Sequence, residues 1–299
     1  MIVTEGLTKQ YGTFTAVHDV TMEVRKGEVF GLLGPNGSGK TTTIRMLIGM
    51  LRPTLGSATV GGFDCWRESR QVRELVSYLP GELRQFGAMT GYATLQFLSD
   101  LRGGECLDRA VSIALRIMKL ELDKKVSAYS TGMKQKLALS QVFADPVEIL
   151  ILDEPTSALD PSARIDVMGL VTDAKARGQT VIFSGHVLSE VEKVSDRVAI
   201  MRNGRLMHIE DMHSRRAQRM VLARFGPGFM NDVPGELQLN VRDVTQDAWL
   251  FEHRGTLDTL FAWLSTQDVE AIAIGTEDLH SLYNQYHGAD AVDAAGKAS

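Results

Sequence analysis

The stretch Gly34-Pro35-Asn36-Gly37-Ser38-Gly39-Lys40-Thr41-Thr42 constrains this chain more than any other. It follows an apolar segment, Val29-Phe30-Gly31-Leu32-Leu33, and leads into a helix-like run from Thr41 to Met50. The spacing Gly-x4-Gly-Lys-Thr, set between a strand and a helix, is what a phosphate-gripping loop (P-loop) requires. The glycines let backbone N–H groups curl around an anion, and the helix N-terminus adds the positive end of its dipole. In that arrangement Lys40 reaches the β- and γ-phosphates of a nucleotide, and the Thr41 hydroxyl ligates Mg²⁺. The bland alternative is a flexible Gly/Ser turn into a helix; the full pattern and its flanks weigh against it.

Bulk properties narrow the setting. A chain of 299 residues has room for one large domain and a smaller one. Its 44% hydrophobic and 23% charged content is that of a globular protein. A net charge of −5 offers nucleic acid no global attraction, so no nucleic-acid partner is expected. Cys65 and Cys106 stand apart and outside any CxxC or Cys/His pattern, so a reducing compartment without disulfide or zinc site is expected. The first residues lack the basic and apolar regions of a signal peptide. No uncharged apolar run approaches the roughly 20 residues a membrane span needs. Any membrane role is therefore expected to come through a partner.

Along the chain, short β-like runs at Ile2-Val3 and Val20 to Val24 precede the loop, and a strand-like piece from Ser57 to Val60 follows it. From about 85 to 141 apolar residues recur at helical spacing (Leu107, Val111, Ala114, Leu115, Met118), which predicts a largely helical insertion. Ile149-Leu150-Ile151-Leu152 and Thr180-Val181-Ile182-Phe183-Ser184 read as parallel strands buried on both faces, with a helix from Ser162 to Arg177 between them. Phosphate chemistry should gather at the C-terminal ends of such strands. Beyond about 213 the pattern predicts strands at 220–225, 237–241, 248–251 and 269–274 and helices at 256–265 and 276–286.

The first buried strand ends in Asp153-Glu154. An Asp at such a strand tip beside a P-loop can bind Mg²⁺, and the next residue, Glu154, can polarise an attacking water as general base. His186 follows the second strand by two residues, at the same sheet edge, where its imidazole can hydrogen-bond a γ-phosphate. Taken alone, a strand-end His is more often structural. Taken with Tyr129-Ser130-Thr131-Gly132-Met133-Lys134-Gln135 upstream and Ser157-Ala158-Leu159-Asp160 just after, the ordered set resembles the nucleotide-binding subunit of ATP-binding-cassette (ABC) transporters over roughly residues 2–212.

That resemblance implies ATP and Mg²⁺ as ligands and ATP hydrolysis coupled to transport. It makes Gly34 to Thr42 the Walker A loop, Thr41 and Asp153 the metal-binding side chains, and Glu154 and His186 the catalytic pair. Ser130, Thr131, Gly132 and Met133 become the signature that addresses ATP on the opposite subunit, and Ser157 to Asp160 the D-loop. Tyr11, in Lys9-Gln10-Tyr11-Gly12, matches the aromatic that stacks on adenine. Two departures stand out. The signature reads Tyr-Ser-Thr-Gly-Met in place of Leu-Ser-Gly-Gly-Gln, a variant similar to exporters with ABC-2-type permeases. In Tyr78-Leu79-Pro80-Gly81-Glu82, Gly81 stands where the family has a Gln that contacts Mg²⁺; Glu82 or Gln85 is the candidate substitute.

The expected fold is α/β: a P-loop ABC-ATPase core over 1–212 with a mainly parallel sheet, an antiparallel β part and the helical subdomain. A small α+β accessory domain over 213–287 and a disordered tail at 288–299 follow. The ending Asp278-Leu279-His280-Ser281-Leu282-Tyr283 carries a weak likeness to accessory domains of such ATPases. The expected partners are an integral membrane permease and a second ATPase subunit, identical or paired, at the cytoplasmic face of the membrane. Two other readings stay open: a regulatory module that binds ATP with little hydrolysis, and a soluble ABC ATPase acting on ribosomes or nucleic acid.

Overall fold

The computed structural model describes residues 1–83, 87–226, 229, 233–245 and 248–276. Two compact units divide the chain, Met1–Glu210 and a second that starts at Asp211. In the first, the order is β1 (Ile2–Tyr11), β2 (Phe14–Val24), β3 (Val29–Leu33), α1 (Lys40–Leu47), β4 (Leu55–Val60), β5 (Phe63–Asp64), α2 (Ser69–Leu75) and β6 (Val76–Leu79). It continues with α3 (Gly91–Asp100), α4 (Leu107–Ser112), α5 (Thr131–Ala144), β7 (Ile149–Asp153), α6 (Pro161–Ala176), β8 (Thr180–Gly185), α7 (Leu188–Val194), β9 (Arg197–Arg202) and β10 (Arg205–Asp211).

Two sheets build this unit. An antiparallel sheet has the order β2-β1-β4-β5, and a larger one the order β10-β9-β3-β8-β7-β6. In the larger sheet β9, β3, β8, β7 and β6 run parallel to one another. All residues of β3, β7 and β8 are buried, which is why their sequences are continuous apolar runs without alternation. A core of Val20, Met22, Phe30, Leu32, Ile44, Leu47, Ile149 and Ile151 fills the space around α1 and joins residues of both sheets.

Some elements differ from expectation for identifiable reasons. The short runs at 2–3 and 20–24 belong to one long hairpin, β1–β2, whose register shifts between Thr4 and Leu7, Leu7 and Lys9, and Lys9 and Gln10. Each irregularity breaks the two-residue alternation by which a strand is read. The helix after the loop stops at Leu47 rather than Met50, and Gly49 turns the chain with φ 66°. The stripe Leu107–Met118 is not one α-helix: α4 passes into a π-helical turn over Ile113–Ile117, where Met118 N–H reaches back to Ile113 O at 2.9 Å. The wider turn rotates the face, burying Ile113 and Ala114 and turning Leu115 outward.

In the second unit α8 (Met212–Ala217) precedes β11 (Arg219–Phe225), β12 (Leu239–Val244), β13 (Trp249–His253), α9 (Leu257–Leu264) and β14 (Val269–Thr276). The sheet order is β12-β13-β11-β14. Val221, Ala223, Phe251, Leu260 and Leu264 form its core, with Trp249 and Trp263 packed against it. The strand expected at 237–241 begins two residues later, because Gly235–Leu237 makes a 3₁₀ turn and Gln238 takes φ 47°. Of the helix expected at 276–286, Thr276 instead closes β14, and the rest, with the 278–283 segment and the tail at 288–299, lies outside the described residues.

Candidate nucleotide site

Three neighbouring parallel strands end at one edge and place the site. The C-terminal end of β3 opens into the P-loop, β7 ends in Asp153-Glu154, and β8, between them in the sheet, leads to His186. Gly34 and Gly39 are there because nothing else fits. A Cβ at Gly34 would stand 2.4 Å from Met201 O, and one at Gly39, which has φ 101°, would stand 2.8 Å from Ala16 O. Pro35, Asn36, Gly37, Ser38, Lys40, Thr41 and Thr42 complete the loop and the first turn of α1. Asn36 to Thr42 line a cavity of about 330 Å³ with Phe14, Ala16 and Glu154, while Gly34 and Pro35 are outside its lining.

Lys40 is 4% exposed, and its ammonium donates to Gly34 O at 2.7 Å and Pro35 O at 3.1 Å. Glu154 Oε1 lies 3.4 Å from the same nitrogen, and Glu154 Oε2 lies 3.6 Å from His186 Nδ1. Glu154 thus sits between a lysine and a histidine. It does so with φ 50°, a left-handed conformation that costs a non-glycine residue about 1–3 kcal/mol. That twist sends two consecutive carboxylates in different directions. Asp153 points inward, fully buried, and Ser184 connects the pair: its hydroxyl donates to Asp153 Oδ1 at 2.8 Å and accepts from Glu154 N–H at 3.0 Å.

Asp153 Oδ2 and Ser38 Oγ are buried and make no hydrogen bond among the described residues. A buried oxygen left so costs about 1–3 kcal/mol, more when charged, so each marks a place for a polar ligand. A carboxylate oxygen with no donor is what a Mg²⁺ ion takes, and Thr41, half-buried on the same loop, supplies a hydroxyl. No cluster of three or more His, Cys, Asp or Glu side chains suited to a metal occurs among the described residues. The Tyr78 hydroxyl is pushed up to about 12 by burial first and by the Asp153 carboxylate second.

Position 81 faces this carboxylate. A Cβ on Gly81 would lie 3.6 Å from Asp153 Oδ2, an ordinary contact. Glu82 is exposed, and Gln85 lies outside the described residues. Beyond Gly81 a cavity of about 320 Å³ opens between the segment 77–83 and helices α3 and α5, with Leu79, Leu83, Leu98, Leu101, Leu137 and Val142 in its walls. Its polar end is a buried knot: Asp145 accepts from Ser77 Oγ at 2.5 Å and Gln141 Nε2 at 3.0 Å, with Arg102 at 3.8 Å.

The signature residues start a helix. Ser130 is the N-cap of α5, its Oγ accepting from Met133 N–H at 3.2 Å, and Ser130 and Thr131 are exposed. Gly132 abuts the D-loop so closely that a Cβ would lie 2.8 Å from Ala158 O. Gln135 bonds Pro155 O at 3.0 Å, fastening α5 to the residue after Glu154. In the D-loop Ser157 is exposed, Leu159 is buried and Asp160 caps α6. Asp160 is held below the usual carboxylate range by the Ala163 N–H first and by Lys136 next. Tyr11 stands opposite Phe14 at the tip of β1–β2, 50% exposed and outside the lining of the P-loop cavity, while Phe14 is in it.

Ser184, Phe14 and the Asp145 knot escaped the sequence reading. Ser184 carried a faint signal, a polar residue closing an otherwise apolar buried strand. Phe14 and Asp145 carried none, because what defines them is contact across long sequence separations.

Against known proteins, a family profile described as ABC transporter matches residues 17–157. The linearmycin resistance ATP-binding protein LnrL of Bacillus subtilis (strain 168) is 34% identical, over 70% of this chain and 68% of that one. The bacitracin transport ATP-binding protein BcrA of Enterococcus faecalis is 36% identical, over 72% and 71%. Among solved structures, the dimeric post-hydrolysis ATP-binding cassette MJ0796 bound to ADP and Pi superposes with a TM-score of 0.65 at 21% identity, covering 71% of this chain and 99% of that one. This last likeness establishes the fold, as an ABC ATPase fold. Strand-tip chemistry, fold and relatives converge: the chain belongs to the ABC transporter family, as one of its ATP-hydrolysing cassettes.

Proposed function

We propose that the chain is the ATPase subunit of an exporter whose membrane part is a separate ABC-2-type permease. Two ATPase subunits, identical or paired, close head to tail over two ATP molecules at the cytoplasmic face of the membrane. The observation that carries this reading is the convergence of Lys40, Glu154 and His186 within 3.6 Å at the P-loop, beside the unpartnered Asp153 oxygen. The printed names of LnrL and BcrA, resistance to one antibiotic and transport of another, favour export. The dimeric neighbour favours the paired arrangement.

The residues then act as follows. The loop N–H groups and Lys40 bind the β- and γ-phosphates; a phosphate oxygen can replace each carbonyl that Lys40 now touches. As the ammonium turns to phosphate, Glu154 loses its cationic partner and becomes the base for a water. The water oxygen bonds to the γ-phosphorus, its proton passes to Glu154, and the bond to the β-phosphate oxygen breaks, giving ADP and phosphate. His186 orients Glu154 and donates an N–H to the γ-phosphate. Thr41 and Asp153 would hold Mg²⁺, which neutralises charge on the β- and γ-oxygens when bound. Ser130 to Met133 of one subunit address the nucleotide of the other through the N-terminal end of a 14-residue helix. The D-loop, packed on Gly132, links the two sites.

The permease docks in the apolar cavity beside Gly81, through an amphipathic helix of its own. No described helix is long and apolar enough to cross a membrane, so the translocation path falls to that partner in this reading. Gly81 favours a second reading, ATP as a dimer clamp with little turnover. Purification with an integral membrane protein, and Mg²⁺-dependent ATP turnover by the resulting complex, test the proposal. Turnover near background would favour the clamp, and a chain that never co-purifies with a membrane protein would defeat the exporter reading.

A further inference from the structure

We infer that Glu190, on α7, is a positioning residue for hydrolysis: its carboxylate holds the His186 turn in place against the Glu154 strand tip and the D-loop. The inference rests on the reading of the strand-tip cluster as a hydrolytic centre. Three segments meet at this one side chain. Glu190 Oε2 accepts from the Thr156 hydroxyl at 2.5 Å, and Oε1 accepts from Arg164 Nη1 at 3.0 Å. Thr156 lies two residues after Glu154 and is 7% exposed. Arg164, on α6, also donates from Nε to Leu159 O of the D-loop at 3.0 Å. The Glu190 side chain is 13% exposed, so both of its bonds are charge-assisted and largely shielded from water.

The histidine depends on where α7 lies. Only Val187 separates His186 from α7, and Val187 gives the helix no side-chain cap. On its apolar side α7 is anchored by Val191, fully buried against Gly31 and Gly185. Glu190, the residue before it, supplies the polar anchor. One apolar contact lets a short helix rock; a second tether on the adjacent residue stops it. The tolerance is small, because His186 Nδ1 stands 3.6 Å from Glu154 Oε2. A shift of about half an ångström inward makes that hydrogen bond, and the same shift outward removes it. The D-loop enters through the same carboxylate: a displaced Leu159 carbonyl draws on Arg164, Arg164 on Glu190, and Glu190 on the turn that carries His186.

Misplacing a catalytic group by about 1 Å costs about 10²-fold in rate, and Glu190→Ala removes both tethers at once. Its kcat for MgATP should fall about ten- to hundredfold, with KM near the parental value. Glu190→Gln should restore most of that loss, since its amide oxygen accepts from Arg164 and its amide N–H donates to Thr156. In a His186→Ala background Glu190→Ala should add less than about twofold, because the two residues act as one unit. A second readout needs no turnover: ¹³C-histidine NMR of the intact chain, with the His186 signal identified by its loss in His186→Ala. That signal should move in Glu190→Ala and return in Glu190→Gln. Parental kcat in Glu190→Ala, a full further loss beyond that of His186→Ala, or an unmoved His186 signal would overturn the inference. A parent chain without Mg²⁺-dependent turnover would remove the hydrolytic reading beneath it, a failure the His186 signal keeps separate from that of the tether.

Discussion

Two glycines of the first unit should respond to the same substitution with opposite signs. Gly132 lies in the first turn of α5, where an added Cβ would come 2.8 Å from Ala158 O, a backbone atom that no rotamer can move aside. Relieving that contact requires α5 or the D-loop to shift by about half an ångström, and such overpacking costs about 1–3 kcal/mol. Gly169 lies within α6 with open space around its Cβ direction. There Gly→Ala removes backbone freedom from the unfolded chain and should gain about 0.5–1 kcal/mol. For a unit of this size each kcal/mol moves the midpoint by about 2–4 °C. Scanning calorimetry of the intact chain should put Gly169→Ala a few degrees above the parent and Gly132→Ala several degrees below it. In the proposed dimer the shifted D-loop should also lower ATP turnover of Gly132→Ala, while Gly169→Ala keeps it. A Gly132→Ala protein as stable as the parent would refute the claim that the signature helix and D-loop are in hard contact.

Three further expectations follow from single sites. Gly81→Gln should be accommodated, since its Cβ has room, and should lower the Mg²⁺ concentration for half-maximal ATPase several-fold by setting an amide oxygen beside the Asp153 oxygen that would hold the ion; an unchanged requirement would place residue 81 out of reach of the metal. Asp145→Ala strands the buried Ser77 hydroxyl and Gln141 amide, and leaving buried polar groups unsatisfied costs about 1–3 kcal/mol. Urea unfolding should report that loss, and a change under 1 kcal/mol would contradict it. His253 is fully buried, and burial first, then Arg219, lowers its pKa from 6.5. Below pH 6.5 the unfolded chain binds a proton that the folded one refuses, so the second unit loses stability as pH falls from about 7 toward the folded pKa. His253→Phe should flatten that dependence between pH 7.5 and 5.5, read by unfolding midpoints.

What could be read from residues alone divides along physical lines. The P-loop and the two apolar strands were legible because they are local: spacing around Lys40 dictates one loop, and burial on both faces dictates runs such as Ile149 to Leu152. The hairpin at 2–24 was legible only in fragments, since its bulges break the alternation that reveals a strand. The helix from 107 to 118 was legible as a helix, but its buried face was not, because the π turn at 113–117 adds a rotation that 3.6-residue periodicity does not contain. In the site, Asp153 and Glu154 stood out by position at a strand tip. That they diverge, with Glu154 bent to φ 50° and Ser184 bridging the two, depends on a neighbouring strand thirty residues away in sequence. Phe14, which lines the P-loop cavity, was hidden for the same reason.

The central claim is that the strand-tip cluster around Lys40 is a hydrolytic centre with Glu154 as its base. It is tested most directly by steady-state and single-turnover ATPase of Glu154→Gln beside the parent, with nucleotide affinity and assembly state measured on the same samples. The substitution keeps the shape and removes the proton acceptor, so ATP should bind as in the parent and accumulate in a closed dimer. Turnover should fall by about 10²–10⁴-fold, the usual worth of a positioned base. Hydrolysis by Glu154→Gln at the parental rate would remove Glu154 from that role and contradict the account.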